Sequence, residues 1–171
     1  TSSVYGKEAT QGESGECNPC NPYGVTKLAA EKQLHAYSQY FDFQYVILRY
    51  FSLFGHFQRP DMAISKFFKS IDRGEPITIY GDGLQTRDLT FISDAVDATY
   101  LAMTNQAGQN EIFNVSGGGI YTALEIAEAC FEISQKQTSL EFVKRQKVET
   151  MRNSNIECPQ FSVETGSLIP K

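Results

Sequence analysis

Asn21-Pro22-Tyr23-Gly24-Val25-Thr26-Lys27, with Thr1-Ser2-Ser3-Val4-Tyr5-Gly6 ahead of it, is the most telling part of this chain. Asparagine followed by proline is a helix start. The asparagine side chain can accept from an orphan amide, and proline has no amide to leave unpaired. On the helix that follows, Tyr23 and Lys27 stand four residues apart on one face. An ammonium near a phenol favours the phenolate, because a nearby opposite charge lowers an acid's pKa. A tyrosine tuned in this way can take a proton from an alcohol near neutral pH. The hydroxyl-rich Thr1-Ser2-Ser3 can supply a partner for the same alcohol.

Outward from this helix the pattern alternates strand and helix. Thr1 to Ser3 reads as the end of a strand, and Lys7 to Asn21, polar with two glycines and a proline, as a loop. Val25, Leu28, Ala29, Leu34, Tyr37 and Phe41 give the first helix an apolar stripe. Gln44–Phe51 reads as a strand for a parallel sheet covered on both faces. Asp61 is expected to cap a second helix that presents Ile64, Phe67, Phe68 and Ile71 and stops at Gly74. Pro76–Tyr80 is a short strand, followed by a Gly81-Asp82-Gly83 turn, and Leu89–Ile92 is another extended piece. Ser93 is expected to cap a third helix carrying Val96, Tyr100 and Met103. Glu111–Val115 is a strand ended by Gly117-Gly118-Gly119. Thr122-x-x-Glu125 is a capping box opening a helix with Leu124, Ala127, Cys130 and Phe131. Leu140–Val143 is a last strand, and 144–171 read as polar and irregular.

The alternation defines an α/β fold. Residues 1–55 read as the C-terminal half of a doubly wound Rossmann-like parallel sheet, and 56–171 as a small α/β substrate-binding domain. The 171 residues suffice for a real core, with 41% hydrophobic and 20% charged residues. A net charge of −5 provides no basic footprint for nucleic acid or acidic membranes. No apolar run approaches a bilayer span and no signal peptide opens the chain, so a cytoplasmic location is expected. Cys17 and Cys20 form C-N-P-C, but zinc wants four ligands and no second close Cys/His pair exists, with His35 and His56 isolated. Free thiols and no metal are the expectation. Cys130 reads as a buried helix residue and Cys158 as part of a polar tail.

Six segments occur in one order: T-S-S-V-Y-G, N-P-Y-G-V-T-K, L-R-Y-F-S-L-F-G, R-P-D-M-A, I-Y-G-D-G-L-Q-T-R-D-L-T-F-I and F-N-V-S-G-G. From Thr1 to about Val143 the chain thereby resembles the extended short-chain dehydrogenases/reductases, specifically the NAD-dependent nucleotide-sugar epimerases and dehydratases. The resemblance implies NAD as cofactor and a nucleotide sugar, a UDP-sugar above all, as substrate. It implies that Tyr23 is the base, that Lys27 tunes it and binds the nicotinamide ribose, and that Thr1 is the catalytic hydroxyl, with Ser2 as a neighbouring candidate. Tyr50, in L-R-Y-F, goes with Tyr23 and Lys27 at the cofactor. Ser52 stands where the family often has an asparagine that touches the substrate phosphates. Arg87 resembles the arginine that grips the pyrophosphate, where a planar fork pairs well with phosphate oxygens; a surface ion pair with Asp88 is the alternative. Tyr80 occupies the position that meets the uracil, or is a half-buried strand aromatic. Arg59 lines the sugar pocket, or is a plain loop arginine.

Departures from the family narrow the reading. Ser2-Ser3 stand where the dehydratases carry Asp-Glu, and hydroxyls cannot do that carboxylate chemistry, so a 4-epimerase is favoured over a 4,6-dehydratase. The family's Gly-rich dinucleotide turn occurs nowhere in the sequence; Gly117-Gly118-Gly119 lacks the spacing. Lys144-Arg145-Gln146-Lys147-Val148 lacks the Gly-Asp of a later nucleotide-holding segment. The chain therefore reads as the C-terminal part of an epimerase, without its NAD-binding half and inactive alone. A non-catalytic nucleotide-sugar-binding remnant, or a dehydratase or reductase of the same family, are the competing readings. The resemblance further implies a homodimer formed through the Pro22–Phe41 helix.

Overall fold

The side chain of Asn21 does what its position requires: its Oδ1 accepts from the Gly24 N–H at 2.7 Å, with Pro22 in the first helical turn. From there the computed structural model describes residues 1–144 and the backbone of Arg152–Asn153. Lys144 apart, the segment 144–148 singled out in the sequence lies outside the described residues, as does Cys158. In chain order the elements are β1 (Glu8–Ala9), α1 (Pro22–Phe41), β2 (Val46–Tyr50), β3 (Ser52–Phe54), α2 (Ala63–Arg73), β4 (Ile77–Tyr80) and β5 (Thr86–Phe91). These are followed by α3 (Ile92–Thr104), β6 (Glu111–Val115), β7 (Ile120–Thr122), α4 (Ala123–Ser134), β8 (Leu140–Val143) and β9 (Arg152–Asn153).

Parallel pairing dominates, as the strand–helix alternation requires. β2 pairs with β6 from Val46 opposite Glu111 to Tyr50 opposite Val115, β4 with β8, β3 with β5, and β1 with β9. The one antiparallel pair among the described residues is β5 with β7, which sets Arg87 opposite Tyr121.

One apolar core lies between β4, α2 and α4. Ile77 and Ile79 point inward from β4, while Thr78 and Tyr80 between and after them face out. Phe67 and Ile71 of α2 and Ile126, Ala127 and Cys130 of α4 close over them. Burying an isoleucine or phenylalanine in this way contributes about 1.5–3 kcal/mol each. The capping box of α4 is complete: Thr122 Oγ1 accepts from Glu125 N–H at 3.1 Å, and Glu125 Oε2 accepts from Thr122 N–H at 2.7 Å. A second cluster joins Val4, Tyr5, Ala9 and Phe51.

Several expectations are corrected. Thr1–Ser3 is not a strand end: Ser2–Val4 form a 3-10 turn whose Ser3 N–H reaches Thr1 Oγ1 at 3.4 Å. The 7–21 loop contains β1. The expected strand Gln44–Phe51 is shorter and breaks at Phe51, after which β3 pairs elsewhere. Asp61 does not cap α2, which starts after Met62 without a side-chain cap; Asp61 instead pairs with Arg59 at 3.0 Å. α3 begins before Ser93, whose hydroxyl donates to Asp94 Oδ1 at 3.0 Å. β5 starts at Thr86 rather than Leu89, and β7 was not foreseen. The apolar stripe expected on α1 is present as an uncovered face, with Val25, Tyr37 and Phe41 exposed and Gly24 the one buried residue of the helix. On α3 the expected stripe of Val96, Tyr100 and Met103 is likewise exposed, and Ala95 and Ala98 are the residues that turn inward.

Candidate active site

Two glycines bring the hydroxyl turn and α1 together. A Cβ on Gly24 would lie 2.5 Å from the Ser3 carbonyl oxygen and 2.9 Å from Pro19 Cβ. Only glycine therefore lets the first turn of α1 press against the 3-10 turn. Gly6, at φ +97°, has a conformation L side chains rarely adopt, and a Cβ there would overlap the Asn18 carbonyl. It folds the 7–21 segment back so that Asn18 and Pro19 precede α1 at the right place.

The result is an open cleft of about 1070 Å³. Thr1, Tyr23 and Lys27 line it, so the two separate motifs of the sequence meet in one place. Tyr23 is 53% exposed, and Lys27 Nζ lies 5.6 Å from its ring centroid. Ser2, Tyr50, Ser52, Arg59 and Arg87 line the same cleft. Ser2 is buried. The Tyr50 hydroxyl lies 2.5 Å from Thr99 Oγ1 of α3, so it anchors that helix. Arg59 is held by exposed Asp61 at the cleft mouth. The loop that carries Arg59 is tied down by its neighbour Gln58, which donates to the Leu53 carbonyl at 3.0 Å and accepts from Ser65 Oγ at 3.1 Å.

Arg87 and Asp88 are adjacent on β5 and so point to opposite faces. Arg87 lines the cleft and donates to the Thr86 carbonyl at 2.8 Å. Asp88 is fully buried and accepts from Gly117 N–H at 2.9 Å. Tyr80 is not among the cleft-lining residues; it faces outward from β4, and its carbonyl accepts from Gln85 Nε2 at 3.1 Å.

Sequence reasoning missed what lies beneath the cleft. Arg49, near the end of apolar β2, is buried, and its guanidinium is almost fully used. Nε and Nη2 donate to the two Glu31 carboxylate oxygens at 3.1 and 2.7 Å. Nη1 donates to the Tyr5 hydroxyl at 2.7 Å and to the Glu13 carbonyl at 3.1 Å. Tyr5 passes its own proton toward Asn114 Oδ1 at 2.8 Å, and Glu13 Oε1 accepts from the Asn114 N–H at 2.8 Å. Burial by itself would lower the Arg49 pKa, but the hydrogen bonds with Glu31 and Tyr5 more than offset it and hold the guanidinium above its ordinary value. Burial raises the Tyr5 phenol above its usual value despite the Arg49 bond, which keeps it a neutral donor. The signal available in the sequence was the charge itself: a cation inside V-I-L-R-Y-F must be paired if that strand is covered.

The model of the NAD dependent epimerase/dehydratase family matches residues 1–116. The chain belongs to this family. It is 40% identical over 143 residues to an uncharacterized UDP-glucose epimerase, YtcB, of Bacillus subtilis, a match that covers 83% of this chain and 45% of that protein. It is 37% identical over 130 residues to a UDP-glucuronate 4-epimerase of Thermodesulfobacterium geofontis, covering 74% of this chain and 40% of that protein. The crystal structure of UDP-glucuronic acid 4-epimerase from Bacillus cereus in complex with UDP-glucuronic acid and NAD superposes with a TM-score of 0.87 at 38% identity. That superposition covers 91% of this chain and 50% of the other. The chain thus spans about half the length of the relatives it matches. The mixed α/β fold with parallel sheets is that of the Rossmann-like epimerases. Among the described residues no helix is long and apolar enough to cross a membrane.

Proposed function

We propose that the protein works as a nucleotide-sugar 4-epimerase on a UDP-sugar. The observation that carries this reading is the convergence of Thr1, Tyr23 and Lys27 with Ser52 and Arg87 on one cleft. The names of the relatives support it. Glu31 is the single carboxylate among the described residues lining the cleft, and both its oxygens are engaged by Arg49. Dehydration needs a free acid and a free base, so this lining favours epimerisation.

In this mechanism the Tyr23 phenol oxygen takes the proton of the sugar 4-hydroxyl, and Thr1 Oγ1 orients that hydroxyl. Lys27, whose Nζ lies 5.6 Å from the Tyr23 ring centroid, sets its positive charge near the side chain that exchanges this proton. Arg87 and Ser52 hold the pyrophosphate, Arg59 faces the sugar, and Tyr80 is left to the nucleobase end, beyond the cleft lining. When bound, NAD supplies a reversible hydride acceptor for carbon 4. The donors present suit its nicotinamide end, which Tyr23, Lys27 and Tyr50 would hold, while no Gly-rich turn for its pyrophosphate occurs in the 171 residues. A nucleotide-sugar-binding module without turnover is the competing reading, since the same cleft could hold the substrate without acting on it. The exposed α1 face with Tyr37 and Phe41 is where a second copy would pack in a homodimer, and a cytoplasmic location suits a nucleotide-sugar substrate.

The test incubates the native gene product with NAD and either UDP-glucuronate or UDP-glucose and separates the 4-epimers by chromatography. Epimer formation, with Tyr23→Phe lowering turnover by about 10²–10⁴-fold, is expected. A 4-keto-6-deoxy product would instead mean a dehydratase. Binding without any product would leave the module reading.

A further inference from the structure

We infer that Arg49 is a positioning residue of this site: one buried guanidinium holds both elements that carry the reacting side chains. The inference rests on reading Thr1, Tyr23 and Lys27 as the reacting groups. Thr1 opens the 3-10 turn Ser2–Val4, and the next residue, Tyr5, gives its hydroxyl oxygen to Arg49 Nη1 at 2.7 Å. Tyr23 and Lys27 lie on α1. Glu31, one helical turn beyond Lys27 and two beyond Tyr23, continues their side of the helix and receives Nε and Nη2 at 3.1 and 2.7 Å.

Apolar contact between α1 and the other described residues is slight: Leu28 packs against the cluster of Val4, Tyr5, Ala9 and Phe51. Gly24 is the single buried residue of the helix, and Leu28 and Leu34 are only half-buried. Apolar contact is non-directional and does not by itself fix the rotation of a helix. A bidentate guanidinium–carboxylate pair is directional, since its two parallel bonds fix angle as well as distance. Because the same rigid plane also holds Tyr5, a rotation of α1 moves the carboxylate away from a guanidinium that the Thr1 turn keeps in place. The Glu13 carbonyl on Nη1, at 3.1 Å, closes the remaining side. The grips assigned to the substrate, Arg87 on β5 and Ser52 on β3, lie outside this clamp.

The decisive variant is Glu31→Gln, which keeps the shape and one acceptor oxygen but cannot pair bidentately. In the native gene product kcat is expected to fall roughly 10–100-fold, the scale of a misplacement of about 1 Å, with KM for UDP-glucuronate within about twofold. Arg49→Lys, which keeps the charge without the fork, should not restore it. Asp72→Asn, which removes the exposed pair with Lys136 at 3.0 Å, is the control and should change neither. A second measurement needs no turnover: in NMR spectra the cross-peaks between Gly24 and the Ser3 or Pro19 protons should weaken in Glu31→Gln while those within α4 persist. If Glu31→Gln keeps both kcat and the Gly24 cross-peaks, even with a lower Tm, the clamp is merely structural and the inference is overturned. If the wild-type protein turns over no nucleotide sugar, the functional reading fails by itself, and the cross-peaks still decide whether Arg49 sets the placement of α1.

Discussion

The core beneath α2 and α4 and the region where α1 meets β2 are closed by opposite means. In the first, Phe67, Ile71, Ile77, Ile79, Ile126, Ala127 and Cys130 exclude water by shape and area. In the second, a buried arginine and its acceptors do the joining. Apolar packing is non-directional and tolerates small shifts. A hydrogen-bonded charge tolerates none, because losing one partner leaves the other buried and unpaired. The stiffer, riskier device lies beneath the cleft, where placement matters; the forgiving one lies away from it.

The comparison breaks first at its largest expected effect. Arg49→Ala should destabilise the protein by about 3–5 kcal/mol, since it strands the Glu31 carboxylate. Ile79→Ala should cost about 2–5 kcal/mol through lost burial and a cavity. Denaturant unfolding reads both. Binding of UDP-glucuronate by calorimetry, well below the unfolding midpoint, separates them: the affinity should stay unchanged in Ile79→Ala. A loss of affinity there would mean that the apolar core also shapes the cleft.

Within the cleft, Arg87→Ala should weaken UDP-glucuronate binding by about 1.5–3 kcal/mol, the worth of a charge-assisted hydrogen bond. Arg59→Ala should cost much less, because Arg59 sits in an exposed ion pair with Asp61, and such pairs contribute about 0–1 kcal/mol. Equal losses in the two titrations would remove the pyrophosphate role of Arg87.

The smallest effect uses a thiol as a probe of the apolar core. Burial pushes Cys130 up to about 11, so at pH 8 it is overwhelmingly the thiol and a poor nucleophile. Site-resolved mass spectrometry after brief alkylation should find Cys17 and Cys20, both half-buried, modified well before Cys130. Equal labelling of Cys130 would show that this core opens as readily as the surface.

Local chemistry was legible where a segment settles its own hydrogen bonds. Asn21-Pro22 announced α1, and Thr122-x-x-Glu125 announced α4, because caps are decided within one turn. The strand expected over Pro76–Tyr80, ahead of the Gly81-Asp82-Gly83 turn, forms as Ile77–Tyr80. Thr1–Ser3 was not, since three residues carry no period to separate a strand end from a 3-10 turn. The stripes of Val96, Tyr100 and Met103 on α3, and of Val25, Tyr37 and Phe41 on α1, were legible as apolar faces, and both are exposed among the described residues. Periodicity shows that a face exists, whereas what covers it is decided by other parts of the chain.

By itself the sequence determined the family, the α/β alternation and the order of the site motifs, because each depends on residues close in the chain. Only the tertiary structure decided that Thr1, Tyr23, Ser52 and Arg87 share one cleft and that Tyr80 stands apart from its lining. It also decided who satisfies Arg49. An arginine within an apolar strand requires partners, but Tyr5, Glu13, Glu31 and Asn114 come from four separate segments. A buried charge selects them by distance and direction in space, neither of which is written in their spacing along the chain.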